Sequence, residues 1–185
     1  MTSPSAEGRP PTDWLAELFG RVREPLWSYV RRRVGGNSEL ASDIVQEAFV
    51  KLCQEPWPEI ESYATAWLYR TCRNRAIDAC RREGRMSVFH PSAAEADVGT
   101  LADQLQESPS DALDRHEQLD ALRGELRNLS EQQQEILRLR LQSGLSYKQI
   151  AEVMGLTSTN VGYHLHHAIV TLRDRLGSSP SASTR

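Results

Sequence analysis

The amino-acid sequence predicts an all-α chain that forms two small helical domains joined by a flexible acidic linker. Apolar residues recur at intervals of three and four, the period of an amphipathic helix, and no strand-like alternation interrupts them. Glycine, proline and capping residues divide the chain into separate helices. Residues 62–86 contain six Arg, whereas residues 87–114 contain six acids and no Lys or Arg. This change of charge predicts a linker, which we place at 87–109.

The first helix of the N-terminal domain (residues 13–86) is expected to begin near Trp14, with Thr12 or Asp13 as its cap. Pro25 either kinks this helix or starts a new one. The apolar residues of its inner face are Leu15, Leu18, Phe19 and Val22.

Two more helices complete this domain. The segment Gly35–Ser38 supplies a stop and a new cap, so the second helix covers about 39–54. Its inner face is apolar, and its polar face carries Asp43, Gln46, Glu47 and Lys51. After a break at two prolines, Ser62 can cap a third helix that ends near Arg82.

The C-terminal domain (110–176) has clear helix punctuation, beginning with a helix at Ser110. Ser130 and Ser146 are each followed three residues later by Gln, the pattern of a capping box. Gly155 ends a short helix, and Thr157 caps the last one, expected over 158–176. A short helix, a three-residue turn and a long helix are typical of a helix-turn-helix.

The last helix would be the recognition helix, because its polar face suits DNA. An asparagine can pair with adenine through two hydrogen bonds, and hydroxyls contact bases or phosphates. The candidate residues are Ser158, Thr159, Asn160, Tyr163, His164 and His167. There is no Lys or Arg from Gln149 through Leu172, so phosphate contacts are few. The alternative interpretation is two helices of a plain α-bundle.

The third helix is the second candidate nucleic-acid surface. Arginines interleaved with aromatic residues suit a single strand, where backbone charge and base stacking both contribute. The residues are Tyr63, Trp67, Arg70, Arg73, Arg81 and Arg82. The alternative is a solvated basic face, in which Asp78 pairs with Arg75 and Arg82. Both interpretations remain open from composition alone.

Several classes of protein are disfavoured. The net charge of −3 does not suit a protein that coats nucleic acid unaided, and no apolar run approaches the ~20 residues of a membrane span. No signal peptide is visible, and residues 1–12 and 177–185 are expected to be disordered. The three cysteines lack the spacing of a zinc site or a disulfide framework, and His164 and His167 lack an acidic partner. We therefore expect a cytoplasmic protein without metal or cofactor.

The chain resembles the extracytoplasmic-function (ECF) sigma factors of bacterial RNA polymerase, which belong to the sigma-70 family. The resemblance runs in order from about Leu15 to Leu176, across both domains. Its motifs in the first domain are Asp43–Leu52, Ala66–Arg70, Asn74 and Ile77–Asp78. Those in the second are Leu129–Ser130, Leu137–Arg140, Gly144–Ala151, Val161 and Leu165–Ala168.

The resemblance implies a promoter-recognition subunit rather than an enzyme. Region 2 (13–86) would dock on the clamp of core polymerase through the polar face of the second helix, and would open the −10 element with Asn74 and the surrounding arginines. Region 4 (110–176) would recognise the −35 element and touch the polymerase flap. The acidic linker would run through basic channels of the enzyme. The subunit would be a monomer when free or bound to an inhibitory anti-sigma factor.

Two departures from the family pattern concern specificity. The loop before the third helix is acidic, and the recognition helix has Gly162, His164, His167 and Ile169 where the family usually has Lys or Arg. Two rival functions remain: a stand-alone helix-turn-helix regulator and an adaptor that binds only proteins. Weak phosphate contacts disfavour the first, and the arginine-rich third helix disfavours the second.

Overall fold

The computed structural model describes residues 10–57, 59–82 and 122–177. Every regular element in these ranges is helical, as the sequence predicts. The expected linker at 87–109, the helix start at Ser110 and most of the two terminal segments lie outside the described residues. None of the described helices has both the length and the apolar character that a membrane crossing requires.

The N-terminal domain contains α1 (Thr12–Arg33), α2 (Ser38–Leu52), a 3₁₀ turn (Glu61–Tyr63) and α3 (Ala64–Arg82). Pro25 lies inside α1, which continues as one helix to Arg33. The expected caps at Thr12 and Asp13 are wrong, because both residues are already in the helix and Pro11 precedes it.

The following helix boundaries agree more closely with the sequence. Asn37 caps α2, and its side chain accepts a hydrogen bond from the Leu40 amide at 3.0 Å. Ser62 lies within the 3₁₀ turn, so α3 begins two residues later, at Ala64. The three helices enclose a core in which Leu26, Leu52 and Leu68 are fully buried. Burial of side chains this size typically contributes about 1.5–3 kcal/mol each.

Phe19 is the exception to the predicted inner face of α1. It is 44% exposed, whereas Leu18 and Val22 are buried. Its ring lies at the edge of the core and packs against the ring of Phe49, with 4.9 Å between centroids. The apolar periodicity therefore predicted the buried side of α1 correctly but wrongly included Phe19 in it.

The C-terminal domain contains α4 (residues 122–127), α5 (Glu131–Leu141), α6 (Tyr147–Met154) and α7 (Ser158–Gly177). Both predicted capping boxes are present, Ser130 with Gln133 and Ser146 with Gln149. Helices α6 and α7 form the predicted helix-turn-helix. Val161, Leu165 and Ala168 of α7 are buried, so its opposite face remains free.

The two domains pack against each other, which the sequence analysis gave no reason to expect. Helix α3 of the first domain contacts α6 of the second. A cleft between the domains is lined by residues from both, among them Val22, Tyr69, Leu145 and Gln149. Glu135 of α5 reaches into the first domain and is bound there by polar side chains of α1 and α3. The structure is therefore a closed arrangement of the two domains.

Two glycines of the helix-turn-helix should respond in opposite ways to alanine substitution. A Cβ on Gly162 would meet only the Tyr147 ring, at 3.7 Å, so Gly162→Ala should raise the free energy of unfolding by about 0.5–1 kcal/mol through helix propensity. Gly155 ends α6 at φ +68°, so Gly155→Ala should lower that free energy by about 1–2 kcal/mol. Urea unfolding of the full-length variants measures both changes. A loss of stability in Gly162→Ala would show that the helix needs glycine there.

Candidate polymerase and nucleic-acid surfaces

The polar face of α2 is an exposed stripe. Asp43, Gln46, Glu47 and Lys51 are all exposed, and their spacing places them on one side of the helix. Val50 lies in the same stripe and is 54% exposed, which the sequence analysis did not single out. An apolar side chain surrounded by charged ones is typical of the centre of a protein-binding surface.

Glu47 is also bound within the domain. Its carboxylate accepts a hydrogen bond from Arg75 of α3, and both side chains are substantially exposed. The alternative interpretation of α3, in which Asp78 pairs with Arg75, is therefore wrong, because Arg75 pairs with Glu47. Asp78 instead lies 4.0 Å from Arg81, and Arg82 donates to the Asp78 backbone carbonyl at 3.3 Å.

Helix α3 has an exposed stripe of its own. Arg70, Asn74 and Arg81 are exposed and share one side of the helix. Trp67 lies half-buried on the same side, and Tyr63 is 39% exposed in the preceding turn. The loop before this turn is anchored to α1, because the Trp57 ring packs edge-on against Trp14 at 4.5 Å. The structure thus brings five of the seven candidate −10 residues together and also exposes Arg82 at the end of the helix.

Arg73 is the exception among these candidates. Its side chain is only 23% exposed, and its Nε donates to Glu135 Oε1 at 3.1 Å. Arg73 therefore faces the second domain, although it directly precedes the exposed Asn74.

The recognition helix α7 presents its candidate residues to solvent. Ser158, Thr159, Asn160, Tyr163 and His167 are exposed, and His164 is half-buried. The Tyr163 ring lies 4.4 Å from the His167 ring and 5.6 Å from the His164 ring, so the three form one aromatic patch. The helix begins as expected, with the Asn160 amide donating to Thr157 Oγ1 at 3.1 Å.

Residues 158–172 of the recognition helix contain no Lys or Arg, and the neighbouring helices carry cations near this part of it. Lys148 is exposed in the first turn of α6. The Arg140 guanidinium of α5 lies 5.5 Å from the centre of the Tyr147 ring, which itself contacts the Gly162 position. Arg140 is held there by donating to the Leu145 carbonyl at 3.0 Å. These cations lie outside the Lys- and Arg-free segment, so the composition of that segment does not indicate them.

Glu135 connects the two domains through a cluster of three donors. Its Oε1 accepts hydrogen bonds from Tyr29 Oη at 2.7 Å, Arg33 Nη1 at 2.5 Å and Arg73 Nε at 3.1 Å. Burial raises the pKa of the Glu135 carboxyl, but the charges of Arg33 and Arg73 and the hydrogen bond from Tyr29 outweigh burial and hold that pKa below its ordinary value. Glu135 is therefore a carboxylate at neutral pH. Burial and the Glu135 charge raise the pKa of Tyr29, which remains a donor.

Comparisons with known proteins agree with this architecture. The family model for sigma-70 region 2 matches residues 18–86, and that for sigma-70, region 4 matches residues 119–172. RNA polymerase sigma factor YlaC of Bacillus subtilis is 30% identical over 168 residues, which cover 90% of this chain and 94% of that protein. ECF RNA polymerase sigma factor BldN of Streptomyces coelicolor is 27% identical over 168 residues, covering 86% of this chain and 59% of that one.

A solved structure has the same fold. The sigma factor RpoE from Bartonella quintana, in complex with the anti-sigma factor NepR, superposes with a TM-score of 0.56. The superposition covers 91% of this chain and 99% of that one, at 22% sequence identity.

The exposed Glu47–Arg75 pair should contribute little to folding. Exposed ion pairs are typically worth below about 1 kcal/mol, so Glu47→Gln should change the free energy of unfolding by less than that. Urea unfolding of the variant tests this expectation. A larger loss would mean that Glu47 is structural, and binding defects of the variant could not then be assigned to a docking surface.

Proposed function

The chain belongs to the sigma-70 family of RNA polymerase sigma factors, in its ECF group. We propose that its exposed surfaces direct promoter-specific transcription initiation. The chain is an alternative sigma factor. Residues 13–86 act as region 2, residues 110–176 act as region 4, and residues 87–109 connect them as an acidic linker. The observation that carries the proposal is the presence of three separate exposed stripes, on α2, α3 and α7, in one chain.

The α2 stripe docks on the clamp of core polymerase. The apolar contact comes from Val50, and the surrounding polar contacts come from Asp43, Gln46, Glu47 and Lys51. Such a surface gains affinity from its apolar centre and orientation from its charged rim.

The α3 stripe binds the separated −10 strand. Tyr63 and Trp67 offer aromatic faces to unpaired bases, and base stacking of this kind is worth about 1–3 kcal/mol per base. Arg70 and Arg81 lie on the same side and neutralise the backbone, while Asn74 can hydrogen-bond a base edge.

The α7 face recognises the −35 element in the major groove, and the same domain touches the polymerase flap. Ser158 and Thr159 are in the first turn, where backbone amides favour phosphate. Asn160 and the aromatic patch of Tyr163, His164 and His167 then face the bases. Lys148 and Arg140 supply cations near residues 158–172 of the recognition helix, which contain no Lys or Arg.

The sigma factor supplies recognition, and the polymerase supplies the chemistry, so the chain itself is not an enzyme. It acts in the cytoplasm with the polymerase, as a monomer when free, and an anti-sigma factor can hold it inactive. The two rival functions are not favoured. A stand-alone regulator or a protein-only adaptor has no use for region 2 and region 4 in the order found here.

In vitro transcription with core polymerase over a promoter library tests the proposal. We expect defined start sites that require both core enzyme and the sigma factor. The free protein should bind the selected promoters poorly, because its net charge is −3 and its contacts are divided between two domains. Tight, specific binding by the free protein at physiological salt would instead support a stand-alone regulator.

Asn160→Ala tests the −35 contact. The side chain of Asn160 does not take part in the helix cap, which uses its backbone amide, so the substitution leaves the helix start intact. Loss of a paired contact to a base costs about 1–3 kcal/mol, so transcription from a selected promoter should fall roughly 5- to 150-fold. The control is the same promoter with a scrambled −35 element, where variant and wild type should be equal. An equal loss on both promoters would assign the defect to something other than base recognition.

A further inference from the structure

We propose that Tyr29, Arg33 and Arg73 form an anion site on region 2 that Glu135 of region 4 occupies in the closed protein and a promoter DNA phosphate occupies in the open one. This inference rests on the proposed function, because it assumes that the chain binds promoter DNA. It adds a binding site whose three residues all lie outside the three stripes.

The donor set belongs to one domain and the acceptor to the other. Tyr29 and Arg33 come from α1 and Arg73 comes from α3, and all three donate to the same oxygen of Glu135. The Arg33 side chain is only 9% exposed and that of Glu135 only 5%. When the domains separate, Glu135 leaves and the three donors stay together on region 2. Guanidinium groups bind phosphate as readily as carboxylate, so this donor set fits a phosphate oxygen.

The surrounding charge favours exchange of the anion. Arg32 and Arg33 of α1 and Arg138 of α5 lie close enough to affect one another, since burial and the charges of Arg32 and Arg33 lower the pKa of Arg138. The charges of Arg33 and Arg73 act on the Glu135 carboxylate, and the Glu135 charge acts in turn on Arg138. Closing the domains therefore brings Arg138 towards the arginines of region 2. A DNA phosphate would bind the same site without adding this positive charge.

The position of Arg73 connects the site to the −10 surface. Arg73 lies between Arg70 and Asn74 in α3, and these two neighbours are exposed on the proposed −10 stripe. A strand that follows the stripe would thus pass within reach of the Arg73 guanidinium. In the closed protein Glu135 occupies this place, which makes Glu135 a competitor of the DNA backbone.

Promoter binding also requires the domains to separate. The positions by which the −10 and −35 elements are named differ by about 25 base pairs, which is roughly 85 Å of duplex at 3.4 Å per base pair. A compact protein of this size has a radius of gyration of about 16 Å and so spans only roughly 40 Å. Region 2 and region 4 cannot both reach their elements in the closed arrangement. The contacts of Glu135 must break when DNA arrives, and that step frees the anion site.

The first experiment measures opening and strand binding by the free protein. Glu135→Gln removes the charge but keeps the side-chain volume, so we expect a larger radius of gyration in X-ray scattering. Binding of a fluorescent single-stranded oligonucleotide should strengthen, by up to about tenfold if nine in ten wild-type molecules are closed and Glu135 keeps the strand out of the closed form. The matched control is Glu131→Gln, which removes an exposed acid from the same helix. Equal effects of the two variants would overturn the competition.

The second experiment identifies the group that binds at the anion site in the open protein. It does not depend on the folding of Glu135→Gln. Holoenzyme containing Arg33→Gln is compared with holoenzyme containing Arg31→Gln, an exposed arginine of the same turn. Only Arg33→Gln should reduce the salt dependence of promoter binding, by about 0.7–0.9 in the slope of log K against log salt. An unchanged slope overturns the inference. If binding to core polymerase is also weaker, a carboxylate of the polymerase, and not a DNA phosphate, binds at the anion site. Failure of the wild-type holoenzyme to start transcription would contradict the proposed function instead.

Discussion

The buried carboxylate of Glu135 determines how the two halves of this protein are arranged. Removing a carboxylate from water is costly, and the cost is offset only where several donors surround the charge. Tyr29, Arg33 and Arg73 provide those donors, and all three belong to the other domain. Leaving a buried ion without its partners typically costs about 3–5 kcal/mol. The carboxylate is therefore stable when the domains are packed together or when it is fully hydrated, and unstable in partly separated arrangements.

The DNA surfaces follow from the same division into domains. The stripes on α3 and α7 are both exposed in the closed protein, but they lie on different domains. Arg75 is bound to Glu47, Arg73 is bound to Glu135, and residues 158–172 of the recognition helix contain no Lys or Arg. Low affinity for DNA at each surface suits a subunit whose partner, the polymerase, holds both surfaces at a fixed distance. Specific binding then requires a −10 and a −35 element together at the correct spacing.

Features that depend on neighbouring residues could be predicted from the sequence. The capping boxes at Ser130 and Ser146 and the turn at Gly155 are correct because the groups that form them lie within four residues of one another. The stripes of α2 and α7 are equally local, since the helical period alone determines which residues share a face. The partners of Glu135 lie 62 to 106 residues away, and no periodicity relates them. The helical spacing allows Arg75 to pair with Asp78, three residues away, whereas Glu47 becomes its neighbour only after α2 and α3 pack.

The interface combines the ionic contact of Glu135 with an apolar one, since buried residues of both domains, among them Tyr69 and Leu145, belong to one hydrophobic cluster. An apolar interface exposes its surface to water when it separates, and the hydrophobic effect then opposes opening in proportion to the area exposed. Arginine and glutamate are well hydrated in the open state, so separation replaces one set of favourable contacts with another. Replacing Glu135 and its donors by apolar residues of similar size would often be neutral or stabilising for such a cluster. The ionic part of the interface has donors that remain useful after separation, which its apolar part cannot provide.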